Sequence, residues 1–441
     1  MSKFISFKNG LSSVLVWSVI SAAFIGPGTV TTCAKAGAQY GTQLIWALVF
    51  STIATIILQE LVARVSMATG KNIGDILSIK YQSNHSLNIS KLLFFAIAFG
   101  CAAYESGNIL GAVSGLRLIY PLPTAVYTLI IVTLCYFLLS RGSISQVSKI
   151  MGVVVFIMGL LFCYLAMTSS IDIKEILAGL QPRIPTSGGS LIIALIGTTI
   201  VPYNLFLASG LKFDQSIFQM RLGLVLAIGL GGLISIAILL SSVSVHGTFS
   251  YQSMYEAIEH KAGTTGANFF AFGLFAAGFS SSITAPLAAA VCGKSLFVNS
   301  VAKSKNNDAN IYKYTWITIL SIGALFGLLQ IKPIPAIIAA QGINGLLLPL
   351  VCIALYLAVH DQNLLSRAYR HHPRWNYVYL FIIWIITMLG IYNVQHAILN
   401  MFAIKSFQES RIILLSVLLS LALTIILQQD HRTQSHQKNN N

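Results

Sequence analysis

The sequence predicts an all-α polytopic membrane protein whose two halves repeat each other in inverted orientation. Of its 441 residues, 56% are hydrophobic and only 9% are charged, whereas soluble domains carry roughly 25% charged residues. Apolar stretches long enough to cross a bilayer recur along the whole chain. Two of them are interrupted by Gly and Pro at corresponding places in the two halves, which is typical of inverted-repeat membrane proteins.

A helix needs about 20 mainly apolar residues to cross the hydrocarbon core. By this criterion we expect one transmembrane domain over 1–441 with about twelve transmembrane helices. The predicted spans are 13–39, 43–68, 91–118, 123–140, 146–168, 190–210, 219–246, 266–298, 314–331, 335–360, 376–400 and 411–428. They divide into a first repeat over 13–168 (spans 1–5), an inverted second repeat over 190–360 (spans 6–10), two extra helices over 376–428 and a disordered tail over 429–441.

The basic residues indicate orientation in a membrane and do not indicate a nucleic-acid partner. The net charge is +15, but Lys and Arg are scattered singly between apolar runs. With the N-terminus inside, most of them fall in inward loops, so we expect both termini in the cytoplasm. We expect a monomer in the lipid bilayer, in a bacterial inner (plasma) membrane, with no nucleic-acid partner. No nucleophile–base set, HExxH or phosphate loop occurs, so we expect neither an enzyme nor a bound cofactor.

The first interruption is "FIGPGTVTT", which contains Pro27, and the second is "GTTIVPYNLFLAS", which contains Pro202. A proline has no N–H and leaves the carbonyl four residues earlier without its helical donor. Those carbonyls belong to Ala23 and Thr198. Unsatisfied backbone at bilayer depth costs several kcal/mol and is tolerated only where it lines a cavity or meets a ligand. Since a single kink usually marks only a bend, it is the matched pair that predicts a substrate site between the two broken helices.

Several long segments, in order, resemble the Nramp family of proton-coupled divalent metal transporters. They are "GPGTVTTCAKAGAQYGTQLIW", "LQELVARVSMATGKNIGDIL", "GTTIVPYNLFLAS" and "GLFAAGFSSSITAPLAAAVCG", together with Gln341 in "AAQGINGLLLPL". The resemblance implies a LeuT-type 5+5 inverted repeat with discontinuous helices 1 and 6. It also implies transport by alternating access.

The chain departs from the family at the residues that carry the chemistry. The family's first-helix motif is Asp-Pro-Gly-Asn, and its Asp and Asn are metal ligands. This chain has Gly26 and Thr29 at those two positions. The family's sixth-helix motif Met-Pro-His, with a thioether that favours transition metals, reads Val201-Pro202-Tyr203 here. The acid pair of the family's third helix is replaced by Cys101 and Tyr104.

The resemblance and the two breaks together give the candidate site. The residues that match the family's metal-binding positions are Ala23, Gly26, Thr29, Thr198, Val201 and Gln341. The residues expected to line the substrate path beside them are Pro27, Gly28, Pro202, Tyr203 and Asn204. Because this set has no carboxylate and no thioether, we expect weak affinity for bare Mn²⁺ or Fe²⁺.

Two carboxylates fall inside predicted spans. Glu105 lies near the middle of span 3, where an ionised acid costs about 2.5–3.5 kcal/mol on insertion scales. We expect it to hold the coupling ion, H⁺ or Na⁺, and the alternative is a structural, hydrogen-bonded glutamate. Glu60 is followed one turn later by Arg64, a spacing that predicts a structural ion pair.

These observations favour an ion-gradient-coupled secondary transporter of a divalent metal cation, Mg- or Mn-like and possibly hydrated. The alternative is a LeuT-fold carrier of a small organic or zwitterionic solute, which the neutral site and the nearby Lys35 favour. A third possibility is a membrane sensor or binding protein that keeps the fold without transport.

Overall fold

The computed structural model describes residues 25–80, 86–141, 145–209, 216–245, 249–297, 305–359, 374–401 and 409–439. Within these ranges the regular structure is helical. The helices are α1 (Pro27–Tyr40), α2 (Ile45–Thr69), α3 (Ile73–Lys80), α4 (Ser86–Ile119), α5 (Thr124–Arg141), α6 (Ser145–Met167), α7 (Ile173–Ala178), α8 (Gly189–Thr199), α9 (Pro202–Ser209), α10 (Ile217–Ser242), α11 (Tyr251–Phe297), α12 (Lys305–Leu328), α13 (Pro333–Val359), α14 (Arg374–Met401) and α15 (Glu409–Asn439).

Eleven helical segments of the described chain are long and apolar enough to cross a membrane, the pair α8 and α9 counting as one. They match the predicted spans from the second to the twelfth, so the polytopic all-α fold is confirmed. Of the predicted first span, 13–39, the structure describes only the part from residue 25 onward, where α1 lies.

Two of the helices that extend beyond the predicted spans are α11 and α15. The helix over Tyr251–Phe297 includes a segment before the predicted span 266–298, and the two parts join at Gly263, which has a φ of 70°. Glycine reaches this left-handed region without the steric penalty of a side chain. At the other end of the chain, α15 continues to Asn439, where the sequence predicted a disordered tail over 429–441. Gln, Arg and Lys have high helix propensity, so a polar sequence can prolong a membrane helix into water.

The long helix α4 lies at the centre of the fold and packs against α11, α12 and α13. Its contact with α11 is close because glycines sit at the crossing. A methyl group on Gly115 would collide with the backbone of Ala271 and Phe275, and one on Gly278 with the backbone of Asn108 and Ala112. Small residues let membrane helices approach in this way, and they hold the middle of α4 against α11.

A buried ion-pair network ties α2 to α10. Glu60 pairs with Arg64 one turn later, as predicted, and also accepts a hydrogen bond from Nε of Arg221 at 2.8 Å. Arg64 is buried, whereas the side chain of Arg221 remains 47% exposed. The predicted pair is therefore part of a three-residue cluster.

Candidate functional site

The second predicted interruption is present in the backbone, and at the first the described chain starts a helix at the predicted proline. The helix α1 begins at Pro27, and Gly26 before it is extended, with φ −90° and ψ 176°. The helix α8 ends at Thr199, and α9 begins at Pro202, with Ile200 turning out of the helix at φ −91° and ψ 88°. Proline is favoured at the first position of a helix, where its missing N–H costs nothing. Ala23, the other predicted carbonyl ligand, lies outside the described residues.

The two interruptions meet inside the protein. Oγ1 of Thr29 lies 3.1 Å from Oγ1 of Thr198, although the two residues are 169 positions apart in the sequence. Both side chains are 2% exposed. The beginning of α1 and the end of α8 are thus in direct contact away from solvent.

A small cavity lies at this contact. Its volume is about 10 Å³, which is room for about one water-sized particle. The residues around it come from α1, α4, α8, α9 and α11 and from the connections at the two breaks. They are Gly26, Gly28, Thr29, Tyr104, Asn108, Thr198, Val201, Tyr203 and Ser281.

One carbonyl in the last turn of α8 lacks its helical donor. The hydroxyl of Tyr104 donates to the Gly197 carbonyl at 2.6 Å. The hydroxyl of Thr55 donates to the Thr199 carbonyl at 3.3 Å. Between them lies the carbonyl of Thr198, whose helical donor would be the missing N–H of Pro202. Side chains therefore cap the two flanking carbonyls, whereas the proline at position 202 deprives the Thr198 carbonyl of its helical donor.

Gln341 of α13 lies against the first turn of α1. It is 1% exposed, and a methyl group on Gly28 would overlap its side-chain amide. Its Oε1 forms no hydrogen bond with any part of the chain that the structure describes. A buried amide oxygen in this state has the capacity to bind a cation or a ligand donor.

Six of the predicted residues line the cavity itself: Gly26, Gly28, Thr29, Thr198, Val201 and Tyr203. Pro27 and Pro202 begin the two helices, and Gln341 abuts Gly28. Asn204 does not line the cavity. It lies one turn into α9, buried, with an Oδ1 that has no hydrogen-bond partner among the described residues.

Sequence reasoning did not place Tyr104, Asn108 or Ser281 among the cavity residues. Asn108 follows Glu105 by three residues and so shares its face of α4. Ser281 belongs to the run "SSS" in the middle of α11. Polar residues inside a membrane span were the available signal, but which of them turn towards the breaks depends on how α4 and α11 pack.

Glu105 lies behind this cavity and does not line it. It is 0% exposed, and neither carboxylate oxygen forms a hydrogen bond within the described structure. Asn108 and Ser282 are polar neighbours of Glu105, and Gly323 of α12 packs against its side chain. Both ion pairs among the described residues belong to Glu60, so Glu105 has no cationic partner there.

The described wall of the cavity offers hydroxyl, amide and carbonyl oxygens, and it includes no carboxylate and no sulfur. Oxygen donors of this kind suit hard cations such as Mg²⁺, Ca²⁺ and Mn²⁺. No group of three or more His, Cys, Asp or Glu side chains that could hold a metal is found among the described residues.

The break between α8 and α9 and the start of α1 meet around a small polar cavity, an arrangement typical of inverted-repeat secondary transporters. Residues 18–396 match the family described as natural resistance-associated macrophage protein-like, Nramp, and the chain belongs to this family. It is 23% identical over 423 residues to the divalent metal cation transporter MntH of Staphylococcus saprophyticus, covering 89% of this chain and 91% of the relative.

Solved structures show the same fold. A variant of the Eremococcus coleocola manganese transporter superposes with a TM-score of 0.73 at 16% identity, covering 98% of this chain and 97% of that one. Mhp1, a nucleobase-cation-symport-1 family transporter, superposes with a TM-score of 0.56 at 16% identity, covering 96% of this chain and 92% of the other. The predicted fold class and the predicted family resemblance are both confirmed.

Proposed function

We propose that this protein is a secondary transporter that moves a divalent metal cation across the membrane by alternating access. The observation that carries the proposal is the oxygen-lined cavity where the two breaks meet, with the Thr29 and Thr198 hydroxyls 3.1 Å apart. Membership of the Nramp family and the similarity to MntH support the same substrate class.

The proposed ligands are the predicted metal positions at the two breaks. The Thr198 carbonyl, the Thr29 hydroxyl and Gln341 Oε1 supply oxygen atoms, with the Ala23 carbonyl completing the set from the preceding segment. Gly26 and Val201 shape the wall without contributing a side-chain ligand. Because all these ligands are neutral, we propose a lower affinity than a carboxylate site has and a preference for hard ions such as Mg²⁺ or Mn²⁺.

A cavity of about 10 Å³ accepts a bare ion or one water, whereas drug-sized organic ligands occupy pockets of roughly 300–1,000 Å³. The observed size therefore favours an ion over a small organic or zwitterionic solute. A fully hydrated ion requires this cavity to widen during the cycle. No specific observation favours the sensor alternative.

We further propose an ion-gradient coupling through Glu105, with H⁺ or Na⁺ as the coupling ion. The protein is proposed to act as a monomer in a bacterial inner membrane, with both termini in the cytoplasm as the distribution of Lys and Arg indicates. Residues 13–168 and 190–360 are proposed as its two inverted repeats. Neither an enzyme activity nor a resident cofactor is part of this proposal.

Metal uptake into proteoliposomes tests the proposal. Vesicles that contain the protein are expected to accumulate Mn²⁺ or Mg²⁺ faster than empty vesicles, and Thr29→Val is expected to reduce the rate. Thr32→Val is the matched control, because the Thr32 hydroxyl bonds to the Gly28 carbonyl and does not line the cavity. Uptake equal to that of empty vesicles for both metals would contradict the transporter assignment.

A further inference from the structure

The polar cluster behind the cavity consists of Glu105, Asn108 and Ser282. These side chains are 0%, 2% and 0% exposed. Four of their atoms are buried without a hydrogen bond to any described residue: both carboxylate oxygens of Glu105, Nδ2 of Asn108 and Oγ of Ser282. Buried polar atoms are nearly always paired in native structures, so four on neighbouring side chains require a common explanation.

The three side chains are held close to one another by the packing of α4 on α11. Glu105 and Asn108 are three residues apart on one face of α4, and Ser282 faces them from α11. Glycines at positions 115 and 278 allow this close approach. Yet none of these four atoms reaches the distance and angle of an ordinary hydrogen bond with a described residue, although the side chains are neighbours.

Among the described residues, no cation pairs with Glu105. Cys101 and Cys135 are further neighbours of Glu105, and neither thiol supplies a positive charge. An isolated carboxylate inside a bilayer is costly and requires a cation or a proton. A divalent ion would leave an excess positive charge, whereas a monovalent cation neutralises one carboxylate completely.

We propose that Glu105, Asn108 and Ser282 form a sodium-binding pocket, separate from the cavity at the helix breaks. The Glu105 carboxylate and Ser282 Oγ supply hard oxygen ligands. The side-chain amide of Asn108 adds Oδ1 when it turns over, since its two ends have nearly the same shape. A proton would serve one hydrogen bond only, whereas a sodium ion contacts oxygen atoms of all three side chains at once.

The position of the pocket connects it to the proposed transport cycle, and in this respect the inference extends the proposed coupling role of Glu105. Asn108 and Ser281, the residue next to Ser282, line the cavity at the breaks. The sodium pocket and the metal cavity therefore share a wall. An ion in the pocket fixes the Asn108 amide and, through it, one side of the metal site.

Thermal unfolding of the purified full-length protein tests for the pocket without measuring transport. With divalent ions chelated, Tm in NaCl is expected to exceed Tm in choline chloride of equal ionic strength by at least about 2 °C. Glu105→Gln and Ser282→Ala are expected to abolish this difference. Ser280→Ala is the matched control, since the Ser280 hydroxyl bonds to the Ala277 carbonyl of its own helix, and it is expected to keep the difference.

An equal Tm in the two salts for the unmodified protein would overturn the proposal, as would a sodium effect that survives both Glu105→Gln and Ser282→Ala. A Tm that depends on pH but not on sodium, and loses this dependence in Glu105→Gln, would assign a proton to the site instead. If Glu105→Gln does not fold, Ser282→Ala and a binding measurement with radioactive sodium decide the question. One bound sodium ion per unmodified chain is expected, and no bound sodium would overturn the proposal.

The sodium pocket and the metal transport proposal fail in different ways. Sodium-dependent stabilisation without any Mn²⁺ or Mg²⁺ uptake would leave the pocket in place and remove the transport function. Metal uptake by a protein whose Tm does not depend on sodium would support the transport function and overturn the sodium pocket.

Discussion

The hydroxyl of Tyr104 donates a hydrogen bond of 2.6 Å to the carbonyl of Gly197. The bond joins the middle of α4 to the end of α8, where the helix breaks. In a continuous helix the Gly197 carbonyl would accept from the N–H of Val201, but α8 ends at Thr199. The Tyr104 hydroxyl supplies a donor in its place. The Tyr104 ring also packs edge-on against Tyr203, with ring centroids 5.4 Å apart, so one side chain supports both sides of the break.

Tyr104→Phe is expected to lower the free energy of unfolding by about 1–3 kcal/mol, because it leaves a buried carbonyl without its donor. It should also weaken Mn²⁺ binding, since the carbonyl of the next residue is a proposed ligand. Tyr127→Phe is the control: its hydroxyl donates to the Tyr120 carbonyl at 2.9 Å, away from the site. Thermal unfolding with and without Mn²⁺ measures both effects. If both variants bind Mn²⁺ like the unmodified protein, Tyr104 has no part in the site.

Gly26→Asp is expected to increase Mn²⁺ affinity by at least about tenfold, which is about 1.4 kcal/mol. A Cβ at this position lies 3.3 Å from Oγ of Ser281, a side chain that can rotate. The extended backbone of Gly26 also suits an aspartate before the first turn of α1. Isothermal titration of the purified protein measures the affinity. Gly26→Asn isolates the effect of charge, and an equal gain in both variants would argue against a carboxylate ligand.

Gly28→Ala is expected to reduce metal uptake by at least about tenfold, because its methyl group would occupy the space of the Gln341 amide. The amide then moves away from the cavity. Adding Gln341→Ala to this variant should restore Tm by removing the clash, but it should not restore uptake. A double-mutant cycle on Tm and uptake checks this. Additive effects on Tm would mean that the two residues do not touch.

Arg64→Ala is expected to destabilise the protein by about 3 kcal/mol, because it leaves the buried Glu60 carboxylate without its main partner. Arg221→Ala should cost no more than about 1 kcal/mol, since that side chain is 47% exposed and its ion pair is screened by water. Unfolding of the two variants in parallel measures the difference. An equal decrease in the free energy of unfolding for the two variants would indicate that Arg221 stabilises Glu60 as much as Arg64 does.

The positions of the breaks could be predicted from local chemistry, because Pro27 and Pro202 lack an N–H wherever they stand. The Glu60–Arg64 pair could be predicted for a similar reason, since one helical turn separates the two residues. Arg221 could not be predicted as the third partner, because it lies 161 positions away on a different helix. The same limit applies to Asn108 and Ser281, whose approach to the breaks requires α4 and α11 to pack closely.

The sequence by itself determined that this chain is a helical membrane protein with two interrupted spans, because hydrophobic length and proline act within single segments. It also determined that the candidate site would have neutral ligands. Tertiary structure alone decided that Thr29 and Thr198 meet, that Gln341 rests on Gly28, and that Ser282 neighbours Glu105. Those relationships depend on contacts between helices far apart in the chain, which only their packing brings together.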